Sequence, residues 1–327
     1  HPTYWTASEA IRGLETRDPT RPLFMWMSFA RPHSPYDPPQ SYWDMYVDHP
    51  DIPRAHVGDW AARYDVPVAD VNAPRTRRTD REIHRGRAGY YGNISFIDHQ
   101  IGRVLYEYGK RDPEGLANTL IVFTSDHGDM MGDHHHWRKT YAYEGSARIP
   151  FVVQWPKAWG DEMERGQVRE EPIELRDIMP SLLDAAGLDV PDSVGGSSLL
   201  DLGRGESPAW RDFVQGEHTN CYDDEHGMQY VTDGREKYIW FHHTGEEQFF
   251  DLRTDPGECR NLATEPSAAP RVGAWRQRLA QVNEKRGDPR GQQGRLVPQP
   301  DGALRLSPNY ARWRDRAAAR INSWRGE

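Results

Sequence analysis

The densest group of ionisable side chains in the 327-residue sequence lies in the segment 124–139. There the tripeptide Asp126-His127-Gly128 follows an apolar run, so a carboxylate and an imidazole emerge side by side where a strand ends. Oxygen and nitrogen donors of this kind bind divalent cations, and we interpret Asp126 and His127 as a candidate metal-ligand pair. The tripeptide alone also fits a plain turn in which Asp126 caps the following backbone.

Two further groups of polar residues extend this pattern. The run Gly132–Lys139 contains three consecutive histidines, beginning at His134, and ends in a lysine. Upstream, His33 lies between two prolines in the segment Ala30–Pro35, which fix it in a rigid extended loop. A positioned imidazole can hydrogen-bond an anionic oxygen or protonate a leaving group. Solvated surface histidines are the alternative interpretation for both groups.

The elements that must position these residues are short strands and amphipathic helices. Apolar runs at residues 23–29, 119–124 and 150–155 predict buried strands. Apolar residues at three- and four-residue spacing predict one helix through residues 94–108 and another through 175–186, ended by Gly187. Strands alternating with helices indicate an α/β layered sheet, in which chemistry lies at the carboxyl ends of strands.

The pattern of residue types changes after the Gly/Ser-rich stretch 194–198. Short aromatic segments separated by turn residues, including Gln229–Val231 and Lys237–Phe241, predict a smaller, mostly antiparallel subdomain. We therefore expect an α/β domain over residues 1–205 and this subdomain over residues 206–327. Within the subdomain we expect an extended arm at residues 286–300 and a terminal helix at residues 310–324.

The bulk composition excludes several classes of protein. A net charge of −9 argues against a nucleic-acid partner, although local cations and a metal can still reverse the sign of one pocket. The longest apolar stretch, residues 23–30, is too short to span a membrane. The two cysteines, Cys221 and Cys259, are too few for a disulfide framework and can either pair or stay free. Because the chain opens at His1 without a signal-peptide pattern, we expect a processed or truncated chain.

Several motifs, met in order along the chain, together resemble the sulfatase family of the alkaline-phosphatase-like superfamily. They are Arg31-Pro32-His33-Ser34-Pro35, the helix Tyr91–Gly102, Ser125-Asp126-His127-Gly128, the run Gly132–Lys139, Tyr143–Pro150 and, nearer the C-terminus, Phe250–Leu262. The resemblance covers residues 20–265. It implies a layered α/β/α alkaline-phosphatase-like sheet whose N-terminal portion is missing here, followed by a C-terminal antiparallel subdomain.

The resemblance also implies a role for each matching residue. Asp126 and His127 would hold the divalent metal, for which the family favours calcium. His33 would contact the sulfate and assist departure of the leaving group, and Lys139 would bind sulfate oxygens. His134, at the head of the lysine loop, would complete the catalytic set. The implied partner is a small-molecule or glycan sulfate ester.

The implied activity is hydrolysis of an aryl or carbohydrate sulfate ester. The family's nucleophile, a formylglycine made within a Cys/Ser-x-Pro-x-Arg motif, has no counterpart in this sequence, and the early acidic metal ligands are missing with it. We therefore expect the nucleophile upstream of this chain and no turnover by the chain alone. Members of the family are often periplasmic or secreted, so the resemblance implies such a location. The sequence leaves the oligomeric state open.

Two other functions stay open. A phosphonate or phosphate ester hydrolase of the same superfamily uses a similar Asp-His pair and lysine, and a non-catalytic relative would keep the fold only to bind a sulfated glycan. The polar, aromatic patch of residues 216–220 and 222–226 resembles segments of bacterial sulfatases that act on sulfated amino sugars. This makes Glu217 and His218 candidate substrate ligands and 6-sulfated N-acetylglucosamine a candidate substrate.

Overall fold

The computed structural model describes residues 1–206, 210–218 and 226–299. In these residues the α-helices are α1 (Pro2–Thr16), α2 (Gln40–Trp43), α3 (Asp80–Arg111), α4 (Pro113–Ala117), α5 (Glu144–Ala147), α6 (Ile178–Ala185), α7 (Leu200–Gly203) and α8 (Ala269–Lys285). The strands are β1 (Ile121–Thr124), β2 (Phe151–Gln154), β3 (Val214–His218), β4 (Met228–Thr232), β5 (Glu236–Phe241), β6 (Glu247–Asp251), β7 (Gly291–Gln292) and β8 (Arg295–Leu296). This mixture of helices and strands confirms the predicted α/β class.

The described chain divides into two compact units. The first contains His1–Val214, Asp233–Glu236 and Phe250–Asn261, and the second contains Gln215–Thr232, Lys237–Phe249 and the residues from Leu262 onward. The predicted domain boundary at residue 205 stays a prediction. No helix in the described ranges is long and apolar enough to cross a membrane.

The longest helix of the first unit, α3, begins at a capping box. The Thr79 hydroxyl accepts the Glu82 N–H, and the Glu82 carboxylate accepts the Thr79 N–H in return. These hydrogen bonds to Thr79 hold the pKa of Glu82 below its ordinary value. The helix buries Val104 and Tyr108 against Ala7 and Leu14 of α1. The predicted helix through residues 94–108 is confirmed, whereas α1 was not predicted.

The segment 23–29 differs from its prediction as a buried strand. It is assigned to no strand, and alternate side chains, Leu23 to Phe29, pack against the core of α1 and α3. The side chains between them point away from that core, so that Phe24 is 73% exposed and Trp26 is 74% exposed. The side chains thus alternate between two faces, and the predicted burial is wrong for one of them, because only one face is covered within the described residues.

The other two predicted strands are present as β1 and β2. They pair antiparallel, with Phe123 opposite Val152, and both of these side chains are exposed. The prediction of two strands is thus confirmed, but the prediction that they are buried is wrong for this face. As in segment 23–29, one apolar face has no cover from the described part of the chain.

The second unit contains most of a four-stranded sheet in the order β3-β4-β5-β6. Strands β4 and β5 pair antiparallel, as the aromatic segments predicted, and α8 buries Val272, Trp275 and Leu279. The expected extended arm after residue 285 instead contains a short antiparallel pair, β7 and β8. Cys221 and the expected terminal helix at 310–324 lie outside the described residues, and Cys259 is a free thiol.

The predicted helix through residues 175–186 begins as a 3₁₀ turn, Leu175–Asp177, and continues as α6. Asp177 is fully buried and accepts two hydrogen bonds from the Arg211 guanidinium, at 2.5 and 2.6 Å, and one from the Ser197 N–H. The hydrogen bonds to Asp177 raise the pKa of Arg211 above its ordinary value. A buried carboxylate thus anchors the start of this helix.

We expect Asp177→Ala to lower the free energy of unfolding by about 3 kcal/mol, because Arg211 would lose its buried partner. The matched control is Asp184→Ala in α6, since the Asp184 carboxylate is more exposed and accepts a hydrogen bond from Ser198. This control should change stability by less than about 1 kcal/mol. Urea titrations of both variants check the prediction, and equal losses would contradict it.

Candidate active site

The Asp126-His127 pair lies in the turn that leaves the end of β1. The Nδ1 of His127 is 2.7 Å from the carbonyl oxygen of Gly128, and a carbonyl can only accept, so Nδ1 carries the proton of the neutral ring. The lone pair of Nε2 is therefore available, 3.6 Å from Oδ2 of Asp126. Metal-binding histidines are commonly oriented in this way, by a hydrogen bond from the other ring nitrogen to a backbone carbonyl.

A close backbone contact fixes the position of this turn. The N–H of Gly128 donates to the carbonyl of Ser146 at 2.8 Å, and a Cβ at residue 128 would overlap the carbonyl oxygen of Gly145. Only glycine, which lacks a Cβ, fits between these backbones. The turn that carries Asp126 and His127 is therefore packed directly on α5.

Helix α5 is held in turn by the motif near residue 258. The buried Glu258 accepts a hydrogen bond from the N–H of Glu144, the first residue of α5, at 2.7 Å. The indole N–H of Trp60 donates to the carbonyl of the same Glu258 at 2.8 Å. Two of the recognised motifs, around residues 143–150 and 250–262, thus meet in the structure and support the Asp126-His127 turn.

His33 and Lys139 lie next to each other although 106 positions separate them. The Nδ1–H of His33 donates to the carbonyl of Ser34 at 2.8 Å, which leaves Nε2 to accept a hydrogen bond from the Lys139 ammonium at 2.6 Å. The rings of His33 and His127 lie 5.9 Å apart between centroids. The structure therefore brings together Lys139, His33, His127 and Asp126, which the sequence placed in three separate segments.

The loop that carries Lys139 has an unusual backbone. Five of its non-glycine residues have positive φ, namely Met131, His134, His135, Arg138 and Thr140. Each such residue is strained in the left-handed region, and strain of this kind collects at functional sites. Two of the five, Arg138 and Thr140, flank Lys139. The direction of the Lys139 side chain therefore depends on the contacts that stabilise this loop.

His134 is placed differently from Lys139. It is only 2% exposed and lies 4.6 Å from the ring of Trp60 and 5.5 Å from that of Tyr143. Its Nδ1 accepts the N–H of Gly58 at 3.2 Å. Burial lowers the pKa of His134 to about 4. This geometry favours a structural role for His134.

The candidate sugar ligand Glu217 belongs to a polar network of the second unit. Its carboxylate pairs with Arg286 at 2.5 Å and accepts a hydrogen bond from the buried Gln229, which also bonds Asn283. Burial raises the pKa of Glu217, but the hydrogen bonds from Arg286 and Gln229 outweigh it and hold the pKa below its ordinary value. His218 ends β3, and residues 219–225 of the predicted patch lie outside the described residues.

In the described ranges no group of three or more His, Cys, Asp or Glu side chains is arranged to hold a metal ion. Asp126 and His127 would supply two donors to a cation, one oxygen and one nitrogen. Because the Asp126 side chain is 83% exposed, the pair faces open space and has room for further ligands. A carboxylate and an oriented imidazole fit part of a divalent-cation site.

A family model described as Sulfatase matches residues 3–188 of this chain, more than half of its length. The chain belongs to the sulfatase family. A second model, described as N-sulphoglucosamine sulphohydrolase, C-terminal, matches residues 132–285. The Sulfatase match includes His33, Asp126, His127 and Lys139, which the structure brings together, and the second match includes Lys139.

Similar proteins support the same family. An arylsulfatase of Clostridium perfringens (strain 13 / Type A) is 45% identical over 293 residues, which cover 88% of this chain but 58% of that protein. A solved structure in complex with its substrate D-glucosamine-2-N,6-O-disulfate has a TM-score of 0.72 at 20% identity and covers 89% of this chain and 71% of that one. A phosphonate monoester hydrolase from Silicibacter pomeroyi has a TM-score of 0.72 at 27% identity, covering 86% and 60%. The predicted alkaline-phosphatase-like fold is confirmed.

The contact at Gly128 gives a direct test of how the Asp126-His127 turn of this sulfatase-family chain is held. We expect Gly128→Ala to destabilise the chain by about 1–3 kcal/mol, because its methyl group overlaps the Gly145 backbone. Gly102→Ala is the matched control, since a Cβ there meets nothing within 4 Å and should stabilise α3 by up to about 1 kcal/mol. Denaturant titrations check both changes. A neutral Gly128→Ala variant would contradict the close contact.

The burial of His134 predicts a specific pH dependence of stability. Below its ordinary pKa of 6.5 the unfolded chain binds a proton that the folded chain does not bind until about pH 4. Stability should therefore fall as the pH drops through this window, by about 2 kcal/mol between pH 8 and pH 5 for this group. His134→Gln should reduce the difference between urea titrations at the two pH values. The same pH dependence in both proteins would rule out this assignment.

Proposed function

We propose that this chain forms part of a sulfuric ester hydrolase that acts on an aryl or carbohydrate sulfate. The observation that carries the proposal is that the His33 loop, 106 positions from Lys139, meets the segment that carries Lys139 and the Asp126-His127 pair. Membership in the sulfatase family and the 45% identity to an arylsulfatase support it.

The contacts of Lys139 and His33 match the needs of sulfate ester cleavage. As the S–O bond breaks, negative charge grows on the sulfate oxygens and on the leaving oxygen, and fixed cationic donors stabilise that charge. The Lys139 ammonium has three N–H donors, of which one contacts His33, so two remain to bind sulfate oxygens. The carbonyl of Ser34 orients His33 through Nδ1 and directs Nε2 toward the same place. Nε2 accepts the Lys139 hydrogen bond in this structure, so it would donate to the leaving oxygen only after it is protonated and Lys139 has turned to the sulfate oxygens.

Asp126 and His127 are the residues that would hold the divalent cation. When bound, such a cation supplies further positive charge at the sulfate oxygens. The resemblance favours calcium, which prefers oxygen donors, whereas an imidazole ligand also suits transition metals. Calcium, manganese and zinc should therefore be compared side by side in binding assays.

The rest of the site is proposed to come from residues that this sequence does not contain. Two protein donors are too few for a tight metal site, and the formylglycine nucleophile expected of the family has no precursor motif in this sequence. The apolar faces that carry Phe24, Trp26, Phe123 and Val152 are exposed, which supports a further covering part of the fold. We infer that the chain alone binds metal weakly and does not turn over substrate.

The substrate class has two candidates. The match to a model named for N-sulphoglucosamine sulphohydrolase favours a sulfated amino sugar, and 6-sulfated N-acetylglucosamine is the form that we propose first. The similarity to a phosphonate monoester hydrolase, together with His127 at the metal position, keeps a phosphonate ester as the second candidate. A non-catalytic glycan binder is disfavoured because it has no need of an oriented Asp126-His127 pair.

Assays of the purified 327-residue chain and of the complete gene product test the proposal. We expect the complete enzyme, but not the chain, to cleave an aryl sulfate, and a sulfated sugar faster than a phosphonate ester. Lys139→Ala in the complete enzyme should lower kcat/KM by about 100-fold or more, whereas Lys110→Ala at the end of α3 should have little effect. Turnover by the chain alone would contradict its expected inactivity, and a preference of the complete enzyme for the phosphonate would overturn the sulfatase assignment.

A further inference from the structure

Asp129, three residues after Asp126, accepts hydrogen bonds from three separate parts of the first unit. Its Oδ1 accepts the backbone N–H of Met131 at 3.0 Å and that of Arg138 at 2.9 Å. Its Oδ2 accepts the hydroxyl of Tyr36 at 2.9 Å. The bond to Met131 is a local turn interaction, but the other two span 9 and 93 positions and join different loops.

The first oxygen closes the loop that carries Lys139. Met131 and Arg138 lie at its two ends, and both have positive φ. The carboxylate oxygen joins these ends, and a backbone bond from Met130 N–H to the Arg138 carbonyl at 2.7 Å reinforces the closure. Since Arg138 directly precedes Lys139, the bond to its N–H fixes where the lysine side chain starts. Hydrogen bonds to a charged acceptor are the stronger kind, which suits a strained loop.

The second oxygen holds the loop that carries His33. Tyr36 follows His33 by three residues, and its backbone is packed on α3, where a Cβ at Gly89 would lie 2.7 Å from the Tyr36 carbonyl oxygen. The ring of Tyr36 lies 6.0 Å from that of Tyr90 on the same helix. Burial, followed by the nearby Asp129 carboxylate, raises the pKa of Tyr36, so its hydroxyl stays protonated and remains a donor.

We propose that Asp129 is a positioning residue that sets the distance between Lys139 and His33 by hydrogen-bonding both of their loops through one carboxylate. The proposal rests on the proposed function, since the Lys139-His33 pair is the part of the site that would bind the sulfate group. Asp129 itself is not expected to contact the substrate. Its effect should therefore appear only through the two residues that it positions.

A double-mutant cycle in the complete enzyme tests this dependence. Asp129→Asn should lower kcat/KM for an aryl sulfate by about 10- to 100-fold, largely through a higher KM, because the Lys139 loop loses a charge-assisted acceptor. In a Lys139→Ala background the same substitution should have an effect of less than about 3-fold, because the lysine is gone and the amide oxygen of the new side chain can still accept the Tyr36 hydroxyl that holds the His33 loop. An equal loss in both backgrounds would overturn the proposal.

A second pair of variants separates the two oxygens. Tyr36→Phe removes only the bond to the His33 loop and should lower kcat/KM by about 10-fold. Tyr46→Phe is the matched control, because its hydroxyl is hydrogen-bonded to Ser95 at 2.6 Å and contacts neither loop. A control as impaired as Tyr36→Phe would count against a specific role for the Tyr36-Asp129 bond.

Amide hydrogen exchange of the 327-residue chain tests the proposal without an activity assay. Asp129→Asn should speed exchange of the Met131 and Arg138 amides by about 10-fold, while Tyr36→Phe should leave both unchanged. If the complete enzyme cleaves no sulfate ester, the proposed function fails, and the exchange rates alone decide whether Asp129 closes the loop. If the complete enzyme is active but Asp129→Asn has the same effect with and without Lys139, only the proposed role of Asp129 is wrong.

Discussion

The contact between the Gly128 and Gly145 backbones is the constraint on which the candidate site depends. No side chain fits between them, so the turn after β1 can rest directly on α5 and bond to Ser146. That position sets the direction of the Asp126-His127 pair on one side of Gly128 and of the Asp129 carboxylate on the other. The Asp126-His127 turn and the Asp129 carboxylate thus both depend on one close approach of two backbones, which is a stiffer arrangement than side-chain contacts alone would give.

Sequence reasoning located the parts of the site that have short, ordered motifs. The β1 strand, the Asp126-His127 turn and the loops of His33 and Lys139 were all predicted, because apolar runs and rigid prolines are local signals. It missed α1 and α8, whose apolar residues are diluted by small, polar and charged ones. It also assigned no role to Asp129, since two of its three partners are backbone amides, which a sequence does not distinguish. The burial of His134 likewise depends on Trp60, 74 positions away.

The exposed apolar faces explain why predicted strands and observed strands differ. A strand needs a hydrogen-bonded neighbour, and segment 23–29 is extended with the correct alternation but pairs with no strand of the described residues. The spacing of apolar residues indicates which side chains favour a core. Whether they are buried depends on whether another part of the protein covers them. The uncovered faces of segment 23–29 and of the β1-β2 pair therefore fit the observation that the chain spans 58% of its arylsulfatase relative.

The contacts of Glu258 show how a motif far from the site in sequence can support its chemistry without taking part in it. Its carboxylate caps the first N–H of α5, its carbonyl binds Trp60, and Trp60 in turn packs on His134. Glu258 itself has positive φ, so the backbone is strained where it makes these contacts. Helix α5 supports the Gly128 turn, and His134 belongs to the Lys139 loop. Glu258 therefore stabilises both the turn and the loop of the candidate site. A motif of this kind carries information about the site although none of its side chains needs to meet the substrate.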